Sequence, residues 1–285
     1  MKINGATKTL GLMGNPVEHT LSPVIHNTLA EITQKNLVYV PFKVEQMDLQ
    51  NAVQGAFSLG IQGLNVTVPH KENILPYLHE IDELARRIGA VNTLVRTEEG
   101  YKGYNTDMPG LYRAMLSDNM IVDGRKVIIL GAGGVARAVA FMLYDKAEKI
   151  YILNRTFQKA EAIAAEVNDY AGKSVAEAVP LTSYDTLMNE KYLVIQTTNV
   201  GMYPHEEDAL ITDVNFYNYI EYGYDLIYNP KETMFMKLVK KAGGQAFCGL
   251  KMLLYQGIIA FELWNGCKIS NEQADMVYER LKDCL

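Results

Sequence analysis

Two charged residues, Lys71 in "NVTVPHK" and Asp107 in "GYNTD", are of the types that handle a proton at an alcohol carbon. Interconverting an alcohol and a carbonyl needs a hydride carrier and somewhere for the hydroxyl proton to go. A lysine beside a carboxylate can orient the hydroxyl and accept or relay that proton. Which of the two carries the proton at the moment of transfer is left open. Taken singly, Lys71 also suits an exposed turn and Asp107 the cap of a following helix. The sequence alone does not bring them together.

The hydride carrier has its own signature. "ILGAGGVARA" sets Gly131, Gly133 and Ala136 between an apolar strand and a helix. Gly131 permits a tight turn, Gly133 lets the backbone approach a pyrophosphate, and the small Ala136 lets helix and sheet pack closely. The amides of Ala132, Gly134 and Val135 complete the turn, where a helix start favours phosphate. A purely structural turn is the bland alternative. At the end of the next strand an NAD site would place a carboxylate, but the chain reads "LNRTFQK". Asn154 suits a ribose, and Arg155 and Lys159 suit a 2'-phosphate, which points to NADP. A solvated basic helix start is the competing reading.

The elements around these residues alternate. "TLGLMG", "LVYVPF" and "GLNVTV" are expected strands, with Val66 and Val68 on one side and Asn65 and Thr67 on the other. Ser22 is expected to cap a helix that has Pro23 at its first position and a stripe of Ile25, Leu29 and Ile32. Met47, Val53 and Phe57 mark a second helix; Ile81, Leu84 and Ile88 mark a third. Beyond Asp107 the continuous apolar runs "KVIIL", "KIYILN" and "KYLVIQ", then "GYDLIYNP" and "GGQAF", describe a parallel sheet covered on both faces. "GLKMLLYQGIIAFELW" and "NEQADMVYERLKDCL" read as closing helices. The fold class is α/β in two domains, a mixed sheet followed by a Rossmann-type parallel sheet.

Bulk properties narrow the function. The chain has 285 residues, 48% of them hydrophobic, and a formal charge of -6, which suits two soluble domains and gives no general reason to bind nucleic acid or a membrane. No apolar run is long enough to span a bilayer, and no signal peptide opens the sequence. Cys248, Cys267 and Cys284 have no metal-binding spacing and suit a reducing cytoplasm. His19, His26 and His70 do not form a metal set, and no metal is expected. A homodimer stays open, since no apolar face fixes an interface.

The chain resembles the shikimate dehydrogenase family, including its quinate-using branch, from end to end. The resemblance rests on "GNPVEHTLSPVIHN", "NVTVPHK", "GAVNTL", "GYNTD", "GAGGVARA", "NRT", "TTNVGM", "YDLIYNP" and "GLKMLLYQGIIAFELW", in order. It implies a substrate-binding and catalytic domain over 1–107, an NADP-binding domain over 108–245, and helices over 246–285 returning to the first domain. The implied activity is reversible NADPH-dependent reduction of 3-dehydroshikimate to shikimate, on the way to chorismate and aromatic amino acids. Lys71 and Asp107 become the catalytic pair. Thr20 and Ser22 would hold the substrate carboxylate, with Tyr228 on the same side. Asn65, Thr67, Asn92 and Gln256 would meet the ring hydroxyls or the edge of the pocket, and Thr156, Thr198, Met202 and Gly249 would border the cofactor. Each has a plainer role beside this one: helix cap for Ser22, strand-end or turn amide for Asn65 and Asn92, solvent for Gln256, apolar filling for Met202. Thr20 stands where the family commonly has serine, which raises dual use of quinate and shikimate as an alternative. A ligand sensor or scaffold without turnover is the alternative of another class.

Overall fold

The computed structural model describes residues 3–284. The chain divides into two compact units: one runs through Gly110 and resumes at Leu253, and the other is Leu111–Met252.

The first unit is built on β1 (Lys8–Gly14), α1 (Ser22–Ile32), β2 (Leu37–Lys43), α2 (Leu49–Ser58), β3 (Gly63–Val66) and the single turn α3 (His70–Asn73). It continues through β4 (Glu80–Ile81), α4 (Glu83–Ile88), β5 (Thr93–Arg96) and β6 (Tyr101–Tyr104). The sheet order is β2-β1-β3-β5-β6-β4. β1 is parallel to β2 and β3, whereas β5 is antiparallel to both β3 and β6. That mixture has a consequence for chemistry. The ends of β1, β3 and β6 and the start of β5 all fall on one edge, and Thr20, Lys71, Asp107 and Asn92 follow or precede those strand termini.

All four residues of β3 are buried, but the alternation stops there: Val66 is 2% exposed and Val68 is 64% exposed. The expectation that the two valines share a face is therefore corrected. Ser22 is corrected too. The helix is entered from Leu21 without a side-chain cap, and Ser22 is the first helical residue. Ile25 and Leu29 of α1 are fully buried, as the stripe requires. Met47 precedes α2 and is exposed, while Ile81 belongs to the short strand β4.

The helix α5 (Asp107–Ser117) leads into the second unit, where β7 (Lys126–Leu130), α6 (Gly134–Leu143), β8 (Lys149–Asn154), α7 (Phe157–Ala171) and β9 (Ala176–Pro180) run in one direction across the sheet. β10 (Tyr192–Gln196), β11 (Ile220–Asp225), α8 (Met234–Lys241) and β12 (Gln245–Phe247) run in the other. The order β12-β11-β10-β7-β8-β9 is parallel throughout. Val127, Ile128 and Ile129 of β7 are wholly buried because both sheet faces are covered, so truncating either isoleucine to alanine costs about 2–5 kcal/mol.

Two last helices, α9 (Leu250–Asn265) and α10 (Asn271–Lys282), close the chain. Ser270 and Gln273 form a reciprocal capping box at the start of α10. Within the first unit α10 lies against α1, where Arg280 bonds Thr28 and Glu31. Trp264 of α9 donates its indole N–H to Leu94 O at 2.8 Å and covers Gly63 of β3.

Candidate active site

The strand edge of the first unit brings Lys71 and Asp107 together. Lys71 Nζ donates to Asp107 Oδ2 at 2.7 Å, in a partly buried ion pair. The single turn α3 aims Lys71, and its carbonyl accepts Val91 N at 2.8 Å, which ties the turn to the segment before β5. Asp107 does not cap its own helix. Asn105 does so, its Oδ1 accepting Asp107 N and Met108 N at 3.2 and 3.4 Å, and the Asp107 carboxylate is left for the site.

Asn92 fixes the other carboxylate oxygen, donating Nδ2 to Asp107 Oδ1 at 2.8 Å. The same amide donates to Thr106 Oγ1 at 3.0 Å and accepts Thr106 N at 2.7 Å. Behind it Asn65 pairs with Thr93 across β3 and β5, and Nδ2 donates to Thr93 Oγ1 at 3.1 Å. Thr93 and Thr106 were not singled out by sequence. Each is a hydroxyl next to an asparagine at a strand terminus, and a buried hydroxyl there needs a partner.

Thr20 and Ser22 lie side by side, with the Thr20 hydroxyl donating to Ser22 Oγ at 3.2 Å. Thr67 is half-buried, and its hydroxyl makes no hydrogen bond among the described residues. Gln256 is buried rather than facing water, at 8% exposure, and donates to Leu253 O in its own helix. Thr20, Ser22, Thr67, Lys71, Asn92, Asp107 and Gln256 all belong to the first unit, whose edge offers neutral donors around one ammonium and one carboxylate.

The second unit carries the remaining candidates. The sheet order reverses between β7 and β10, and Gly131 and Thr197 follow those two strands. A crevice at such a reversal is where α/β sheets bind nucleotides. Gly131 has φ +113, and a side chain there would meet Thr197 Oγ1 at 2.7 Å. Gly133 is the residue before α6; no side chain caps that helix, and Gly133, Gly134 and Val135 are exposed. Ala132 is half-exposed, and Ala136 is buried against the sheet. Asn154 is half-buried and donates to Thr156 O at 2.9 Å in its own turn, whereas Arg155, Thr156 and Lys159 are exposed. Arg155 and Lys159 make no ion pair among the described residues. Free helix amides, a glycine without overhead atoms and two unpaired cations fit a dinucleotide with an extra phosphate.

Thr198 is held by Gln196, whose Oε1 accepts its N–H and its hydroxyl at 3.1 and 3.0 Å. Met202 is 44% exposed. Gly249 donates to Ile227 O at 2.9 Å, next to Tyr228, and any side chain at 249 would collide with the Leu226 carbonyl. The loop carrying Tyr228 is anchored by a residue the sequence did not flag. Asp225, fully buried, accepts Ile227 N at 3.0 Å and the Thr233 hydroxyl at 2.6 Å. Burial pushes its carboxyl up to about 6, against the pull of those two hydrogen bonds. Among the described residues no cluster of three or more His, Cys, Asp or Glu could hold a metal, and no helix is long and apolar enough to cross a membrane.

Three family models match in chain order. They are the shikimate dehydrogenase substrate binding domain over residues 12–94, shikimate / quinate 5-dehydrogenase over 115–210, and the shikimate 5'-dehydrogenase C-terminal domain over 249–273. Shikimate dehydrogenase (NADP(+)) of Caldanaerobacter subterraneus subsp. tengcongensis is 42% identical over 292 residues, covering 99% of both chains. The chain belongs to the shikimate dehydrogenase family. Among solved structures of the family, the enzyme of Thermus thermophilus in complex with NADP(H) and shikimate aligns with TM-score 0.84 and 30% identity, over 98% of this chain and all of that one. Quinate dehydrogenase of Corynebacterium glutamicum in complex with NAD aligns with TM-score 0.85 and 28% identity, over 97% and 99%.

Proposed function

We propose that this chain catalyses the reversible NADPH-dependent reduction of 3-dehydroshikimate to shikimate, in the biosynthesis of chorismate and aromatic amino acids. The observation that carries the reading is the Lys71–Asp107–Asn92 constellation, set on the same strand edge as the paired hydroxyls of Thr20 and Ser22. The first unit takes the substrate and the second takes NADP, with Arg155 and Lys159 answering the 2'-phosphate. NADPH supplies the hydride.

The remaining work falls to the chain's own groups. On binding, the Thr20 hydroxyl turns from Ser22 so that both hydroxyls donate to the substrate carboxylate, and Thr67 and Gln256 answer ring hydroxyls. Lys71 spends one N–H on Asp107 and has two left for the reacting oxygen. In reduction Lys71 and Asp107 together deliver a proton to that oxygen; in oxidation they receive it. An analogue lacking a ring hydroxyl leaves a site donor unpaired, which is how such an edge selects a polyol acid.

Quinate use is the second reading, favoured by Thr20, whose added methyl group reshapes the carboxylate contact, and by the likeness to a quinate dehydrogenase. The test follows absorbance at 340 nm with shikimate and quinate crossed against NADP and NAD. Turnover confined to shikimate with NADP supports the first reading, and comparable quinate turnover moves the chain to the second. For location we put forward the cytoplasm, because the three cysteines are unpaired. For assembly we put forward a homodimer, supported by the prevalence of two-fold dimers among soluble proteins and testable by light scattering.

A further inference from the structure

The hydrogen-bond chain behind Asp107 begins at a residue the proposed chemistry does not use. His26 of α1 is fully buried. Its ring stacks on Tyr39 at 4.2 Å between centroids and tilts against Trp264 at 5.0 Å. Nε2 lies 3.1 Å from Asn65 Oδ1, and the Tyr39 hydroxyl donates to the same oxygen at 2.8 Å. An amide oxygen only accepts, so Nε2 carries the ring proton, and Nδ1, which has no partner, is the bare nitrogen. Burial holds the ring neutral, lowering it to about 3. Burial also pushes the Tyr39 hydroxyl up, so it stays a donor.

Two donors on one oxygen fix the sense of everything downstream. Turning the Asn65 amide over would set its oxygen against Asn92 O, which only accepts, and would move the His26 proton to Nδ1, where it has no partner. Its Nδ2 therefore faces Asn92 O and Thr93 Oγ1, at 3.2 and 3.1 Å. The Thr93 oxygen is then an acceptor, and its own hydrogen goes on to Asn92 Oδ1 at 3.1 Å or Thr106 Oγ1 at 3.0 Å. Thr106 N fills Asn92 Oδ1 at 2.7 Å whichever way that hydrogen points, so Nδ2 is left to meet Asp107. We propose that His26, acting with Tyr39, is a positioning residue for the reaction: the two donors orient Asn65, and through Thr93 and Asn92 they keep Asp107 aimed as an acceptor toward Lys71. The proposal rests on the dehydrogenase reading of this site.

The test compares the wild-type chain with His26→Phe, His26→Gln, Tyr39→Phe and the His26→Phe/Tyr39→Phe pair. Phenylalanine keeps the stacked ring and removes the donor, while glutamine returns an N–H near the Nε2 position. Measured are kcat and KM for shikimate at saturating NADP, NADPH affinity as a control on the other unit, and thermal melting. His26→Phe is expected to lose about tenfold in kcat with KM little changed, because a small misplacement of a reacting group costs rate rather than binding. His26→Gln recovers most of that loss. The pair loses more than the product of the singles, since only it frees both lone pairs of Asn65. Tyr39→Phe alone, the gentlest change, lowers kcat about threefold and carries the test if the others do not fold. Unchanged kcat in the variants that fold, a loss confined to KM, or glutamine no better than phenylalanine would overturn the proposal. A wild-type chain that does not turn over shikimate with NADP would instead overturn the dehydrogenase reading, and the two failures are distinct.

Discussion

The strand edge of the first unit that carries Lys71 and Asp107 and the glycine turn of the second are built in opposite ways. Around Asp107 nearly every polar group is already bonded to protein: Asn92 uses both amide hydrogens and its oxygen before anything binds. Around Gly131 the polar groups wait. The start of α6 is uncapped, and Arg155 and Lys159 stand in solvent. The difference fits the role proposed for each region. Moving a proton demands placement to a fraction of an ångström, which only a saturated network holds. Recognising a phosphate demands charge and free N–H groups, which any internal partner would compromise.

Lys71→Ala gives the sharpest separation of the two. It should lower kcat by about 10²- to 10⁴-fold while leaving NADPH affinity within about twofold, as stopped-flow titration and steady-state rates would show. Weakened cofactor binding of similar size would break the division. Arg155→Ala comes next. Losing a charge-assisted contact to the 2'-phosphate should weaken NADPH about 10- to 100-fold and leave NADH untouched, and equal effects on both would remove that role.

Smaller effects separate the units by pH. His26 is neutral in the folded protein and takes a proton on unfolding below its ordinary value of 6.5, so its contribution is whole above 6.5 and drains away as pH falls toward about 3. The slope is at most about 1.4 kcal/mol per pH unit. Asp225 has the other sign: raised from 3.8 to about 6, it contributes fully below 3.8 and loses that contribution as pH rises through 6. Urea midpoints measured from pH 4 to 8 should therefore flatten on the acid side in His26→Phe. Asp225→Asn should flatten over the narrower window between 4 and 6. A variant with the wild-type pH slope would dismiss the residue concerned.

Much of the fold was legible because burial on both sheet faces writes a continuous apolar run, as in "KVIIL" and "KIYILN". The edge strand β9, "AEAVP", was not. Only one of its sides is paired and its burial is broken, so no such run exists. Val68 misled for a related reason: a valine after a strand looks like more strand until the chain turns it to solvent. At the site, residue types pointed to Lys71 and Asp107, and strand direction supplied their meeting. Ser22 fits a cap by type, yet the helix begins one residue too early for its hydroxyl to serve. The bonds through Asn65, Thr93 and Thr106 are geometry across antiparallel neighbours, which no local pattern encodes.

The first unit is interrupted in sequence, and this governs how the protein is made. Synthesis delivers residues up to Gly110 first, then the whole of Leu111–Met252, and only afterwards α9 and α10. Until Trp264 reaches Gly63 and Arg280 reaches α1, that face of the sheet bearing Lys71 is covered by α1 without its closing helices. Of the two units, the one begun first is thus completed last, while the other is contiguous and can fold on emergence.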